Sequence, residues 1–194
     1  VRLFVAITPP AMALHELEAA VAPLQALRPE LRWSNPQSWH VTLAFLGEVD
    51  EKVAERLAAR MERAAARHPG VDLLTAGGGA FPTVPRARVL WTGIRGDQEA
   101  LKEIADSVAA GARRAGAPTP DEGRKFRPHI TLARSKEPAD VRPLVDALTG
   151  YCGSTWPADR IHLIRSYLGP APWYESIGSW PLRAPGPGGV GCQT

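Results

Sequence analysis

Two histidines stand in matching contexts. His40 lies in SWHVTLAFLG, Ser38 to Gly47, and His129 lies in RPHITLAR, Arg127 to Arg134. Each is followed by one apolar residue, then Thr, then Leu. Imidazole gives or takes a proton near neutral pH. A Thr hydroxyl donates to an anionic oxygen but is no strong base. Two such pairs around one small ligand suit in-line phosphoryl transfer. One histidine takes a proton from the attacking oxygen, and the other protonates the leaving oxygen. The hydroxyls of Thr42 and Thr131 hold the non-bridging oxygens, where transition-state charge gathers. The chain has five histidines. Chance placement of two of them before Thr at +2 and Leu at +3 is on the order of one in several thousand.

Both motifs have the composition of strands. Side chains on a strand alternate between faces. Strict alternation puts His40, Thr42, Ala44 and Leu46 on one face, and Val41, Leu43 and Phe45 on the other as core anchors. It likewise puts His129, Thr131 and Ala133 opposite Ile130 and Leu132. Around the first motif, RLFVAI (Arg2 to Ile7) is a predicted strand. A helix follows over Ala11 to Leu27 on the spacing of Leu14, Leu17, Val21, Leu24 and Leu27. Asp50 caps a second helix reaching Arg67. VDLLTAGGGAF and ARVLWTGI are strands. Asp97 caps a helix to Ala115, and a long polar loop leads to His129. Pro138 to Leu148 reads as a short helix. RIHLIRSYLG and WYESIGSWPL close the fold as a strand pair.

The halves therefore repeat a strand, a helix and a histidine-bearing strand. No GxGxxG and no strict βαβ alternation occur, which argues against a doubly wound nucleotide fold. The predicted architecture is α+β. It has two pseudo-symmetric lobes, each an antiparallel sheet with helices on its outer face, around a central cleft. The domain is expected over residues 1–183. The tail, residues 184–194, has no core-forming pattern and is expected to be disordered.

At 194 residues, with 44% hydrophobic and 22% charged, the chain has the balance of a soluble domain. A net charge of +3 suits an anionic ligand, without the Lys/Arg runs of a duplex-coating protein. Cys152 and Cys192 lie far apart and form neither a metal spacing nor a disulfide framework. There is no HExxH and no HxH, so neither a metal nor a cofactor is expected. The short apolar run at the N-terminus resembles no signal peptide, and no stretch approaches the roughly 20 residues of a membrane span. The expectation is a cytoplasmic monomer.

RLFVAI, HVTLAFLG and FRPHITLAR together resemble the RNA 2′,3′-cyclic phosphodiesterases, or 2′-5′ RNA ligase family, of the two-histidine phosphoesterase superfamily. The similarity runs to about Arg183, and neither motif departs from the pattern. The resemblance implies metal-independent hydrolysis of an RNA or nucleotide 2′,3′-cyclic phosphate to a 2′-phosphomonoester. Some family members also join or cleave 2′-5′ linked RNA. By this similarity His40 is the acid that protonates O3′ and His129 the base that activates water, and the roles exchange in reverse. Two alternatives stay open. One is a non-catalytic RNA- or nucleotide-binding module on the same scaffold, and the other is a phosphodiesterase for another cyclic phosphate.

Arg134 matches a family arginine and is a candidate for binding phosphate. Strict alternation points it away from His129, so it reaches the phosphate only if the strand ends or bulges there. Phe4 is either a base-stacking platform or a core residue. Arg127 and Lys125 either guide RNA or belong to a solvated loop. Trp33 and Trp39 are expected to pack. His15 and His68 are read as surface residues, and His162 as structural. The run Gly77 to Gly79 lacks a following Lys-Ser/Thr and fits a strand bend or bulge.

Overall fold

The computed structural model describes residues 1–169 and 172–184. The β-rich N-terminal run forms β1 (Arg2–Ile7), and helix α1 spans Ala11–Leu27. A two-residue strand, β2 (Arg32–Trp33), precedes β3 (Val41–Glu48), which carries the first motif. Helix α2 (Glu51–Ala66) starts where Asp50 accepts a hydrogen bond from the Val53 amide at 2.8 Å. Strands β4 (Val71–Phe81) and β5 (Ala87–Gly96) form a hairpin. Helix α3 (Gln98–Ala115) starts at Asp97, whose carboxylate accepts from the Ala100 amide, and ends at Gly116. Gly116 has φ +94°, a left-handed cap that glycine adopts without strain. The second motif opens β6 (His129–Ala139). Helix α4 (Arg142–Leu148) and strands β7 (Trp156–Ala158), β8 (Arg160–Tyr167) and β9 (Trp173–Pro181) follow.

Two antiparallel sheets result. One has four strands in the order β3-β1-β8-β9, the other five in the order β2-β6-β5-β4-β7. Helices α2 and α3 back the first sheet, while α1 and α4 pack against β4 of the second. The sheets do not coincide with halves of the sequence, as the repeated order suggested. The first sheet joins β1 and β3 to the last two strands, and the second joins β2 to β4, β5, β6 and β7. A continuous core joins both, from Leu3, Val5 and Ile7 of β1 to Leu90 and Ile94 of β5. Among the described residues no helix is long and apolar enough to cross a membrane.

Three local expectations change. Pro138 does not start a helix, because β6 continues to Ala139, which pairs with Ala87, and α4 begins only at Arg142. Leu27 is exposed at the end of α1 rather than packed. The short strand β7 pairs with β4 and was not foreseen. Gly77, by contrast, is the site of the expected bulge. It has φ +64° and is the extra residue between Ala76 and Gly78 in the β4–β5 ladder. The tail beyond Ala184 lies outside the described residues.

Candidate active site

The first sheet ends at β3, and β6 lies one strand in from the edge of the second. These two strands contact each other, so the motifs meet where the sheets adjoin. His40, Thr42, His129, Thr131 and Arg134 all line one cleft of about 820 Å³. Both histidines are held alike. The Nδ1–H of His40 donates to the Ser38 carbonyl at 2.6 Å, and that of His129 to the Arg127 carbonyl at 2.7 Å. A carbonyl can only accept, so Nδ1 keeps its proton and Nε2 is the nitrogen left for chemistry.

Burial sets the acidity of the pair. It pushes His40 down to about 4, the Ser38 carbonyl opposes this in part, and the charges of His129 and Arg134 add to it. Burial also holds His129 below the usual imidazole value, with Arg134 contributing. The His129 charge is among the causes that depress His40, so protonating one imidazole disfavours protonating the other. Aromatic rings flank both imidazoles. Phe4 and Tyr174 lie 4.7 and 5.3 Å from the His40 ring, and Phe81 and Trp91 lie 5.1 and 5.9 Å from that of His129.

A bulge in each motif strand alters the predicted faces. Between Trp91↔Thr131 and Leu90↔Ala133, Leu132 is an extra residue on β6. The inserted residue shifts the alternation, and Arg134 comes round to the cleft with Thr131. The condition set for Arg134 in the sequence is therefore met. Strand β3 does the same at Leu43, between Ala6↔Thr42 and Val5↔Ala44. The expected core anchor Phe45 is thereby turned out, 39% exposed and lining the cleft. Val41 and Leu43 remain in the core as expected.

Phe4 is only 3% exposed. It packs with Ala6 and Ile164 while still lining the cleft beside His40, and Phe45 is the more exposed aromatic next to it. Trp39 is buried in the core, and Trp33 packs at its edge with its indole N–H on the Arg28 carbonyl. His15 is exposed, and His68 joins Ser107 of α3 at 2.7 Å. His162 bonds Ser176 rather than lining the cleft. Lys125 and Arg127 line a neighbouring chamber instead.

Sequence reasoning missed Arg2, Arg32 and Tyr174, which also line the cleft. Arg32 pairs directly with Arg134 across β2 and β6. Like charges in that relation repel. Two arginines facing the same cleft make sense around an anion. The signal was available only once the pairing was known.

The arrangement has known relatives. The profile of the 2′-5′ RNA ligase superfamily matches residues 9–170. An Aeropyrum pernix protein named RNA 2′,3′-cyclic phosphodiesterase is 37% identical over 112 residues, covering 58% of this chain and 61% of that one. A Thermus thermophilus protein of the same name is 32% identical over 190 residues, covering 94% of this chain and 90% of its own length. The crystal structure of Escherichia coli LigT with 3′-AMP matches with a TM-score of 0.69 and 28% identity, covering 93% of this chain and 96% of that one. With its profile match spanning both motifs, the chain belongs to the 2′-5′ RNA ligase superfamily.

Proposed function

We propose that this chain is an RNA 2′,3′-cyclic phosphodiesterase, hydrolysing the cyclic phosphate of an RNA end or nucleotide to a 2′-phosphomonoester. The observation that carries the reading is the matched pair of imidazoles, each tied through Nδ1 and each lining the same cleft. Water attacks phosphorus opposite O3′ while His129 Nε2 takes its proton. The P–O3′ bond breaks as His40 Nε2–H protonates O3′. One water is consumed, and the phosphate stays on O2′. The Thr42 and Thr131 hydroxyls donate to the non-bridging oxygens, and the Arg134 guanidinium balances their charge. No step asks for a metal.

The acid must be charged, and burial opposes that. A bound phosphodiester anion lying between the histidines counters the depression, because a nearby negative charge favours imidazolium. The names of the Aeropyrum and Thermus relatives and the mononucleotide in the E. coli structure support a nucleotide substrate. Both motifs come from one chain, so a monomer suffices. The exposed free thiol of Cys152 suits a reducing cytoplasm.

The test is hydrolysis of 2′,3′-cyclic nucleotides and cyclic-phosphate-ended RNA in EDTA, with the product isomer identified. The expected product is the 2′-phosphate. Dependence on added metal, or full activity in either His→Ala variant, would overturn the mechanism. Tight nucleotide binding without turnover would make this a binding module.

A further inference from the structure

Beside the cleft lies a second cavity of about 600 Å³, beneath the loop that joins α3 to β6. We propose that this chamber seats the base of the nucleotide whose cyclic phosphate is hydrolysed. The proposal rests on the cyclic phosphodiesterase reading above and adds to it a nucleoside-binding subsite.

Position is the first argument. Thr42, Phe45, Phe81 and His129 line both the cleft and the chamber, so the chamber opens at the phosphate-binding groups themselves. A base stands one ribose ring away from its own 2′,3′-phosphate, so the base has to enter a space immediately beside the histidines. The cavity is within the roughly 300–1,000 Å³ typical of small-molecule sites.

Lining is the second argument. Phe45, Phe81 and Phe126, with Ala105 and Ala109, give the chamber apolar walls suited to a flat neutral ring. Four of its charges pair with one another, Arg113 with Glu122 at 3.4 Å and Arg124 with Asp121 at 2.9 Å, while Lys125 and Arg127 form no ion pair among the described residues. Thr131 and Arg134 line the cleft and not the chamber, which places the phosphate in the cleft and leaves the apolar-walled chamber to the neutral base.

The third argument is one polar atom. Thr119 lines the chamber at 5% exposure, and its Oγ1 has no hydrogen-bond partner among the described residues. A buried polar group without a partner is costly, on the order of 1–3 kcal/mol. A base brings donors and acceptors on its edge. A hydroxyl serves either kind, so a turn of the Thr119 side chain toward the chamber would give a base a partner without choosing strongly among the four.

Two substrates separate the base from the reacting group: adenosine 2′,3′-cyclic phosphate and methyl riboside 2′,3′-cyclic phosphate, which has no base. The wild type is expected to favour the adenosine compound about tenfold or more in kcat/KM, the scale of one base stacked on aromatic rings. Thr119→Val and Phe126→Ala should each pull that ratio toward unity. Phe126→Leu replaces the alanine variant if its melting curve shows loss of fold. The same ratio is read without turnover, by calorimetry with adenosine 2′-phosphate and methyl riboside 2′-phosphate. Equal use of both compounds by the wild type overturns the chamber and leaves the hydrolase intact. A preference that survives both substitutions seats the base elsewhere and also overturns it. If neither cyclic phosphate is hydrolysed, the hydrolase reading fails, and the binding ratio still decides the chamber.

Discussion

The two motif strands agree in nearly everything and differ in chemical kind at one position. Both histidines donate through Nδ1 to the carbonyl two residues back. Both strands bulge at the leucine after the threonine, Leu43 in one and Leu132 in the other. Both bulges turn the residue after the next alanine into the cleft. In β3 that residue is Phe45, and in β6 it is Arg134. What is shared is the equipment of proton transfer. What differs is what each strand offers the rest of the substrate: an apolar face on one side, a charge on the other. A fully symmetric pair could hold a cyclic phosphate in either sense, and neither histidine would have a fixed role. The Phe45/Arg134 difference breaks that symmetry, and on the proposed reading it is what would give each imidazole one role.

The largest test of the shared part is removal of each imidazole. His40→Ala and His129→Ala should each lower kcat by about 10³-fold, and the double variant should be little worse than either, because the two act as a unit. The asymmetry is sharpened by a substrate with sulfur in place of O3′. A thiolate leaves without a proton. This compound should restore His40→Ala and not His129→Ala. Rescue of His129→Ala instead would exchange the two roles.

Burial of the first imidazole should show as acid sensitivity of the fold. His40 falls to about 4 in the folded protein, against an ordinary value near 6.5. Between those values the unfolded chain binds a proton that the folded chain refuses. Stability is therefore lost as pH falls from 6.5 toward 4, by roughly 3 kcal/mol at pH 4. Urea midpoints across that range should show a gentler decline in His40→Gln. An equally steep decline would mean that other groups carry the acid transition.

The odd pair itself comes next. Arg134→Met should lower kcat/KM about 10²-fold, the loss of one charge-assisted contact with phosphate. It should also raise the pKa of both histidines, since Arg134 helps to depress each of them. The alkaline limb of the pH–rate profile then moves to higher pH. Phe45→Met should shift neither limb, because it removes no charge. A profile that does not move in Arg134→Met would separate the arginine from the histidines' electrostatics.

The sequence made the matched histidines and threonines legible because the repeat is short and local. It also made legible most element boundaries and the caps at Asp50 and Asp97. It did not show the faces of Phe45 and Arg134. HVTLAF and HITLAR alternate cleanly, and a bulge at a leucine leaves no glycine to mark it. Interleaving of the sheets was hidden for a different reason. Which strands pair is decided by contacts far apart in sequence, as when β1 meets β8. The chamber was equally hidden, because GAPTPDEGRKFRP looks like a solvated loop. Only the fold shows that Thr119 within it is buried.

The smallest effect concerns the support behind the second histidine, which differs from that behind the first. Phe4 packs against His40 from a strand of ordinary composition, whereas Trp91 reaches His129 only because Gly79 lies opposite it. A Cβ on Gly79 would run into the Trp91 ring. The indole would have to leave its place, and the ring stack with Phe81 and His129 would go with it. Gly79→Ala should thus cost about 2 kcal/mol of stability, as overpacking does. It should also lower kcat several-fold through a less firmly held His129. Gly79→Ala combined with Trp91→Leu should recover the stability, since the smaller side chain clears the added methyl. It should not recover kcat, since no indole then backs the imidazole. Recovery of both would show that His129 is held by its backbone hydrogen bond alone, and the two histidines would then be supported alike after all.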